Sequence, residues 1–221
     1  MEQVWYAGYG SNLAWARFRC YLQGGRPEGA ARTLPGATDP ADPLDMQPIT
    51  LDGSVYFAWH SPTWGGGIAF YDPDAGGTSL GRAYLVTAAQ FVDVATQEMH
   101  REPTGDPLDL VALMDAGRLV LGPGRYETLH VVGEIGNQPV VTFTSSVHDE
   151  MPLNAPRAAY LTTMARGLAE THGLDASAIT SYLLGRPGCA LGWTHDDLAA
   201  LVSAALTAQG NSTATKGGLP G

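Results

Sequence analysis

Ten residues near the amino terminus constrain this chain most: Val4-Trp5-Tyr6-Ala7-Gly8-Tyr9-Gly10-Ser11-Asn12-Leu13. The run begins as an apolar strand, breaks into a glycine-containing loop and hands over at once to a helix. Several backbone N–H groups converge at such a junction, and the positive end of the new helix adds to them. The pattern predicts a small-molecule site holding an anionic group, a carboxylate or a phosphate. Tight strand-to-helix turns also occur without any ligand, so the chemistry must be found elsewhere in the chain.

A chain of 221 residues with 44% apolar content can bury a substantial core, as one large domain or one domain with an appendage. A formal charge of −10 argues against nucleic acid and anionic membranes as partners. No stretch approaches the roughly 20 apolar residues of a membrane helix. No basic, apolar and small-residue succession marks a signal peptide. The expected location is therefore cytoplasmic, with Cys20 and Cys189 reduced rather than bridged.

The element pattern is α+β. Ser11 or Asn12 would cap a helix from Leu13 to Leu22, and residues 26–47, rich in Pro, Gly and Asp, read as loop. Strands are expected at 54–59, 68–71 and 81–86, with Trp64-Gly65-Gly66-Gly67 as a bulge or a close backbone approach. Thr87 and Gln90 have capping-box spacing for the next helix, which Pro103 would stop; a short helix follows at 108–116. Gly136-Asn137 would turn a hairpin. Beyond His148 the pattern is helical. One helix would start at Asn154 and Pro156 and another span 175–184, while Thr194 would cap a third to about Ala208. Residues 209–221 read as a disordered tail.

On a helical period, Phe91, Val94, Ala95, Glu98 and Met99 share one stripe, with Asp93, Thr96 and Gln97 off it. A carboxylate in an apolar stripe is costly unless paired, bound or protonated. Burial raises a carboxyl's pKa, which suits a general acid or base, and makes Glu98 the candidate catalytic residue.

The loop Tyr9-Gly10-Ser11-Asn12-Leu13, at the end of an N-terminal strand, resembles the YGSN loop of the γ-glutamylcyclotransferase-like family. Gly81-Arg82-Ala83-Tyr84-Leu85-Val86 is similar to the Gly-x-x-Tyr strand of that family, and Glu98 stands at the position of its catalytic glutamate. Tyr126 and the hairpin around Gly136-Asn137 also match. The resemblance covers about residues 1–145 and reads as a divergent bacterial-type member. It implies a mixed, β-barrel-like sheet with flanking helices and an all-helical C-terminal extension. The division would be a cyclotransferase-like domain at 1–150, a helical extension packed on it at 151–208, and the tail. It further implies that Tyr9, Gly10, Ser11, Asn12 and Leu13 bind the α-amino-acid end of a γ-glutamyl group and that Glu98 is the acid/base. The reaction would be a lyase-type cyclisation to 5-oxoproline with release of an amine, as in glutathione metabolism. It needs no metal and no cofactor, and its partner is a small γ-glutamyl substrate. A homodimer is the oligomer considered.

The competing readings are distinguishable. A dinucleotide site from Gly8-x-Gly10 lacks the third glycine and a βαβ unit. The six histidines, His60, His100, His130, His148, His172 and His195, are scattered without metal-ligand spacing, and His148-Asp149-Glu150 reads as a solvated turn. Cys20 and Cys189 read as packing residues rather than nucleophiles. Trp64, Tyr84 and Tyr126 are either pocket or core residues. The main rival is a non-catalytic module that binds a γ-glutamyl-like or other carboxylated ligand. An acyltransferase or amide hydrolase using the same loop is a third reading.

Overall fold

The structure, a computed structural model, describes residues 2–101, 108–148 and 151–216. A six-stranded mixed sheet runs in the order β2(Asp45–Asp52), β5(Thr78–Thr87), β1(Gln3–Gly8), β8(Gln138–Thr144), β7(Thr128–Ile135), β6(Arg118–Val120). β1 is antiparallel to β5 and parallel to β8. A second hairpin, β3(Ser54–Ala58) with β4(Ile68–Asp72), lies across the sheet. Thr144 ties it to β8 through the amide and carbonyl of Tyr71, and Ser79 ties it to β5 through the Val55 amide. This closure gives the barrel-like curl of the α+β fold expected from the sequence.

β1 is buried on both faces because it is central, and its alternation sorts side chains into two cores. Val4 and Tyr6 join Tyr84, Val86, Val141 and Phe143 beneath α1(Trp15–Gln23), α2(Ala88–Glu98) and α3(Leu110–Ala116). Trp5 and Ala7 face the other core, shared by the β3–β4 hairpin and by α4(Ala158–His172), α5(Ala176–Leu184) and α6(His195–Lys216). A one-residue slip of β1 would exchange every one of these partners.

Several expectations are met. Thr87 accepts the Gln90 amide while the Gln90 side chain accepts the Thr87 amide, a complete capping box on α2. The short helix expected at 108–116 forms over Leu110–Ala116, and Gly117 closes it in the left-handed conformation. Gly136 and Asn137 turn the β7–β8 hairpin with φ of 58° and 64°, as a type I′ turn requires. Gly67 is a close-approach glycine: a Cβ there would lie 2.0 Å from the Asn154 carbonyl oxygen. Both cysteines are unbridged.

Others need correction. Ser11–Leu13 forms a 3₁₀ turn, Ala14 is extended, and α1 starts only at Trp15, with no side-chain cap from Ser11 or Asn12. The segment read as loop to Gln47 contains the start of β2. That strand tolerates Pro48 because it is an edge strand, and it pairs with β5 over residues 45–52. α4 starts at Ala158, not at Asn154–Pro156. The preceding segment instead runs extended along the hairpin, where the Asn154 amide donates to Phe57 and Trp59 donates to Pro152. α6 continues through Lys216, past the expected end at Ala208, so residues 209–216 of the expected tail are helical; residues 217–221 lie outside the described ones. Pro103, Asp149 and Glu150, invoked in the sequence reading, also lie outside the described residues. Finally, α2 is not simply amphipathic. Asp93 and Gln97, placed off the stripe, are buried, because α1 and the chain after it cover that side: Gln97 donates to the Tyr21 carbonyl at 2.9 Å and Asp93 accepts the Thr38 amide at 2.7 Å.

Candidate functional site

Two chain segments converge at the end of β1. The loop Tyr9–Leu13 leaves the strand there. α2 starts at the opposite end of the same strand, since Thr87 pairs with Gln3. An 11-residue helix spans about 16 Å and a six-residue strand about 20 Å, so the last turn of α2 returns to the loop. The capping box fixes where that helix begins and therefore where Glu98 arrives.

Glu98 is half-buried at the last position of α2. Its Oε1 accepts from Asn12 Nδ2 at 3.0 Å, and the same amide nitrogen donates to the Tyr6 hydroxyl at 2.9 Å. Asn12 therefore cannot cap α1: its side chain bridges the loop to the acid. Glu98 opens into a cavity of about 730 Å³, counting its open mouth, lined among others by Tyr6, Tyr9, Gly10, Ser11, Asn12, Arg17, Tyr21, Trp64, Tyr126 and Tyr160.

Of the predicted ligand-binding residues, Tyr9, Gly10, Ser11 and Asn12 line this cavity and Leu13 does not. The Leu13 side chain is fully buried against Gly167 of α4, and its amide donates to the Gly10 carbonyl, closing the turn. Tyr9 donates to the Phe143 carbonyl at 2.8 Å and stacks obliquely on Tyr71. Tyr126 lines the cavity and donates to the Ala69 carbonyl. Tyr84 belongs to the core: it stacks on Phe18 and donates to the Asn12 carbonyl at 2.6 Å, holding the loop from behind. Trp64 lines the cavity and meets the Tyr160 ring edge-on at 5.2 Å.

Sequence reasoning missed two groups. Tyr160 comes from α4, in the helical C-terminal part. Its hydroxyl accepts the Ala69 amide at 3.0 Å and sits so close to Gly10 that a Cβ there would lie 2.8 Å away. Burial raises its pKa to about 12, against the pull of the Ala69 and Ser11 amides directed at the same oxygen. Arg17 is the second. Seven percent exposed, it stacks over the Tyr21 ring and donates from Nη2 to the Tyr21 hydroxyl at 2.7 Å. Tyr21 in turn faces Glu98; burial first, and then the neighbouring carboxylate, hold its phenol in the protonated form. An Arg four residues after the loop was a visible signal, since a cation on a helix face otherwise buried by Phe18, Tyr21 and Leu22 needs a reason to be there.

Arg32 and His100 line the cavity and hydrogen-bond to each other. Outside that lining, the Arg125 guanidinium lies 3.6 Å over the Trp59 ring. Burial and the two arginines push His100 down to about 4, so it is neutral at pH 7. No group of three or more His, Cys, Asp and Glu suited to a metal occurs among the described residues.

A scan of protein-family models finds no match. Among curated proteins, histone deacetylase 5 of Arabidopsis thaliana is 30% identical over 198 residues. That match takes in 81% of this chain but only 30% of the plant protein's length. Among solved structures, gamma-glutamyl cyclotransferase superposes with a TM-score of 0.53 at 15% identity, covering 91% of this chain and 99% of that one. The uncharacterized human protein loc79017 superposes with a TM-score of 0.50 at 16% identity, covering 92% and 99%. With its mixed sheet, crossing hairpin and flanking helices, this chain is built on the gamma-glutamyl cyclotransferase fold.

Proposed function

We propose that this protein is a γ-glutamyl cyclotransferase-type enzyme with Glu98 as its acid/base. The observation that carries the reading is the 3.0 Å hydrogen bond from Asn12 of the loop to Glu98 of α2. Loop and acid share one hollow, as a base that serves a loop-held substrate must. The α-amine of a γ-glutamyl group attacks its own γ-carbonyl carbon. Glu98 takes a proton from the attacking nitrogen, because an ammonium has no lone pair to offer. The amide C–N bond then breaks as Glu98 returns the proton to the departing nitrogen. The products are 5-oxoproline and a free amine. Holding the amino-acid end in place makes the attack unimolecular and oriented, the larger share of the rate gain in such a cyclisation. On this reading residues 1–150 form the cyclotransferase-like part and 151–208 a helical extension that completes the cavity through Tyr160.

The test is production of 5-oxoproline from γ-glutamyl amides and peptides, read by mass spectrometry beside Glu98→Gln. The glutamine keeps an acceptor for Asn12, so the fold persists, and turnover falls by about 10²–10⁴-fold, the usual worth of a positioned acid/base. Cyclisation by Glu98→Gln at the parental rate ends the assignment. Calorimetric binding of γ-glutamyl compounds by the parent protein with no product formed supports the non-catalytic module instead. The Tyr160 hydroxyl seated against the Ser11 and Ala69 amides is the feature that favours that second reading.

A further inference from the structure

Resting on the γ-glutamyl reading, we infer that Arg32, with Arg125 beside it, is a specificity-determining residue that receives a carboxylate carried by the leaving group. The departing amine then belongs to an amino acid or a peptide rather than to an uncharged amine. Neither arginine is part of the loop or of the acid already described. Arg32 lies on the chain between α1 and β2, which is pinned around it. Gly25 and Leu34 exchange backbone hydrogen bonds at 3.0 and 2.8 Å, and the Ala31 amide donates to the Thr63 carbonyl at 3.1 Å. The Arg32 side chain is half-buried in the cavity wall and donates from Nη1 to His100 Nδ1.

His100 is held in place for that contact. It follows the end of α2 with φ of 59°, a left-handed conformation that a histidine adopts at a cost, and its amide donates to the Gln97 carbonyl at 3.0 Å. A guanidinium only donates, so Nδ1 is the acceptor, and the neutral imidazole orients Arg32 without cancelling its charge. Nothing else cancels it. Among the described residues neither Arg32 nor Arg125 forms an ion pair, although acids outnumber Lys and Arg by 22 to 12 in the sequence. Arg125 stacks on Trp59 and acts as a second positive charge on His100. Glu98 is the only carboxylate in the cavity lining, and Asn12 already donates to it. Two unpaired, permanently charged guanidiniums near one neutral ring call for an anion from outside the protein, and their planar forks suit a carboxylate.

The proposed reaction says which carboxylate. Glu98 returns a proton to the departing nitrogen, so that nitrogen lies at Glu98, and His100 stands two residues further along the chain. A residue of extended chain spans about 3.3–3.6 Å. A carboxylate one or two residues from the departing nitrogen is on the scale of that step, and an amino acid or a dipeptide supplies it.

The test measures kcat/KM for 5-oxoproline formation from γ-glutamyl-alanine and γ-glutamyl-alanyl-glycine, each beside its own C-terminal carboxamide. Parent and Arg32→Gln are compared, with circular dichroism to verify folding. The parent should prefer at least one acid over its carboxamide by about 10-fold, and Arg32→Gln should lose that preference, as expected for charge-assisted hydrogen bonds at a half-exposed site. The acid that shows the effect, amino acid or dipeptide, gives the length of the leaving group. Equal turnover of acids and carboxamides by the parent, or a preference that survives in folded Arg32→Gln, overturns the inference and leaves the proposed function standing. If Arg32→Gln does not fold, Arg125→Gln takes its place: a reduced preference supports the inference and an unchanged one overturns it. If no compound yields 5-oxoproline, the γ-glutamyl reading fails, and calorimetry on the same pairs decides the carboxylate seat alone. Carboxylate-dependent binding that Arg32→Gln abolishes supports the seat, and any other result overturns it.

Discussion

At the residue scale, Asn12 joins the two halves of the site. One amide nitrogen serves both Tyr6 and Glu98, so Asn12→Ala removes two hydrogen bonds from a buried polar cluster at once. Glu98 then loses the contact that fixes its rotamer, and on the proposed function kcat for 5-oxoproline formation should drop by about 10–100-fold, on the scale that misplacing a catalytic group costs. The decline should appear in kcat more than in KM, which steady-state kinetics resolves. Equal loss in both would mean that Asn12 acts by binding the substrate. The turn at the end of β1 and the placement of Glu98 on α2 were legible in the sequence because strand-to-helix breaks and helix caps are local patterns. The role of Asn12 was not: a helix cap and a bridge to a residue 86 positions away look identical in a string of letters. Tyr160 was invisible for the same reason, since only the packing of α4 on the loop carries it to Gly10.

At the element scale, the capping box, the type I′ hairpin and the glycine that ends α3 were readable because turn chemistry is written in adjacent residues. The reading of α2 as one-sided failed because the covering chain between α1 and β2 is irregular and leaves no periodic trace. Thr87 sets the start of α2 and so the reach of Glu98. Thr87→Ala should lower stability by about 1 kcal/mol, the usual cost of losing an N-cap, and thermal unfolding measures it. The backbone approach at Gly67 is stricter. A methyl there would fall 2.0 Å from the Asn154 carbonyl oxygen, which is backbone and cannot turn aside. Gly67→Ala should cost about 1–3 kcal/mol or more, as overpacking does, and should also reduce turnover because Trp64 of the same turn lines the cavity. A melting temperature equal to that of the parent would mean that the hairpin and the 152–157 segment part readily.

At the scale of the whole molecule, acid should weaken the fold earlier than carboxylate protonation alone explains. His130 on β7 is pushed down to about 4 by burial first, and then by Arg118 and His148, with Asp72 and Asp74 opposing. His100 is lowered to a similar value by burial, Arg125 and Arg32. In the unfolded chain both take a proton near the ordinary value of 6.5. Between about 6.5 and 4 the unfolded state therefore binds protons that the folded state refuses, and stability is lost as the pH falls through that window. His130→Gln, remote from Glu98, should melt at a temperature that declines less between pH 6.5 and 4 than the parent's does. A parallel decline in both proteins would exclude His130 as a contributor.

The placement of Tyr160 governs how this protein can be divided. Its ring enters from α4, meets Trp64 edge-on and presses its oxygen against Gly10. A recombinant fragment that stopped after the β7–β8 hairpin would keep the loop, the acid and the sheet while leaving the hollow roofless on one side. On the proposed function, such a fragment would admit bulk water to a reaction that succeeds only when the γ-carbonyl meets the substrate's own amine first.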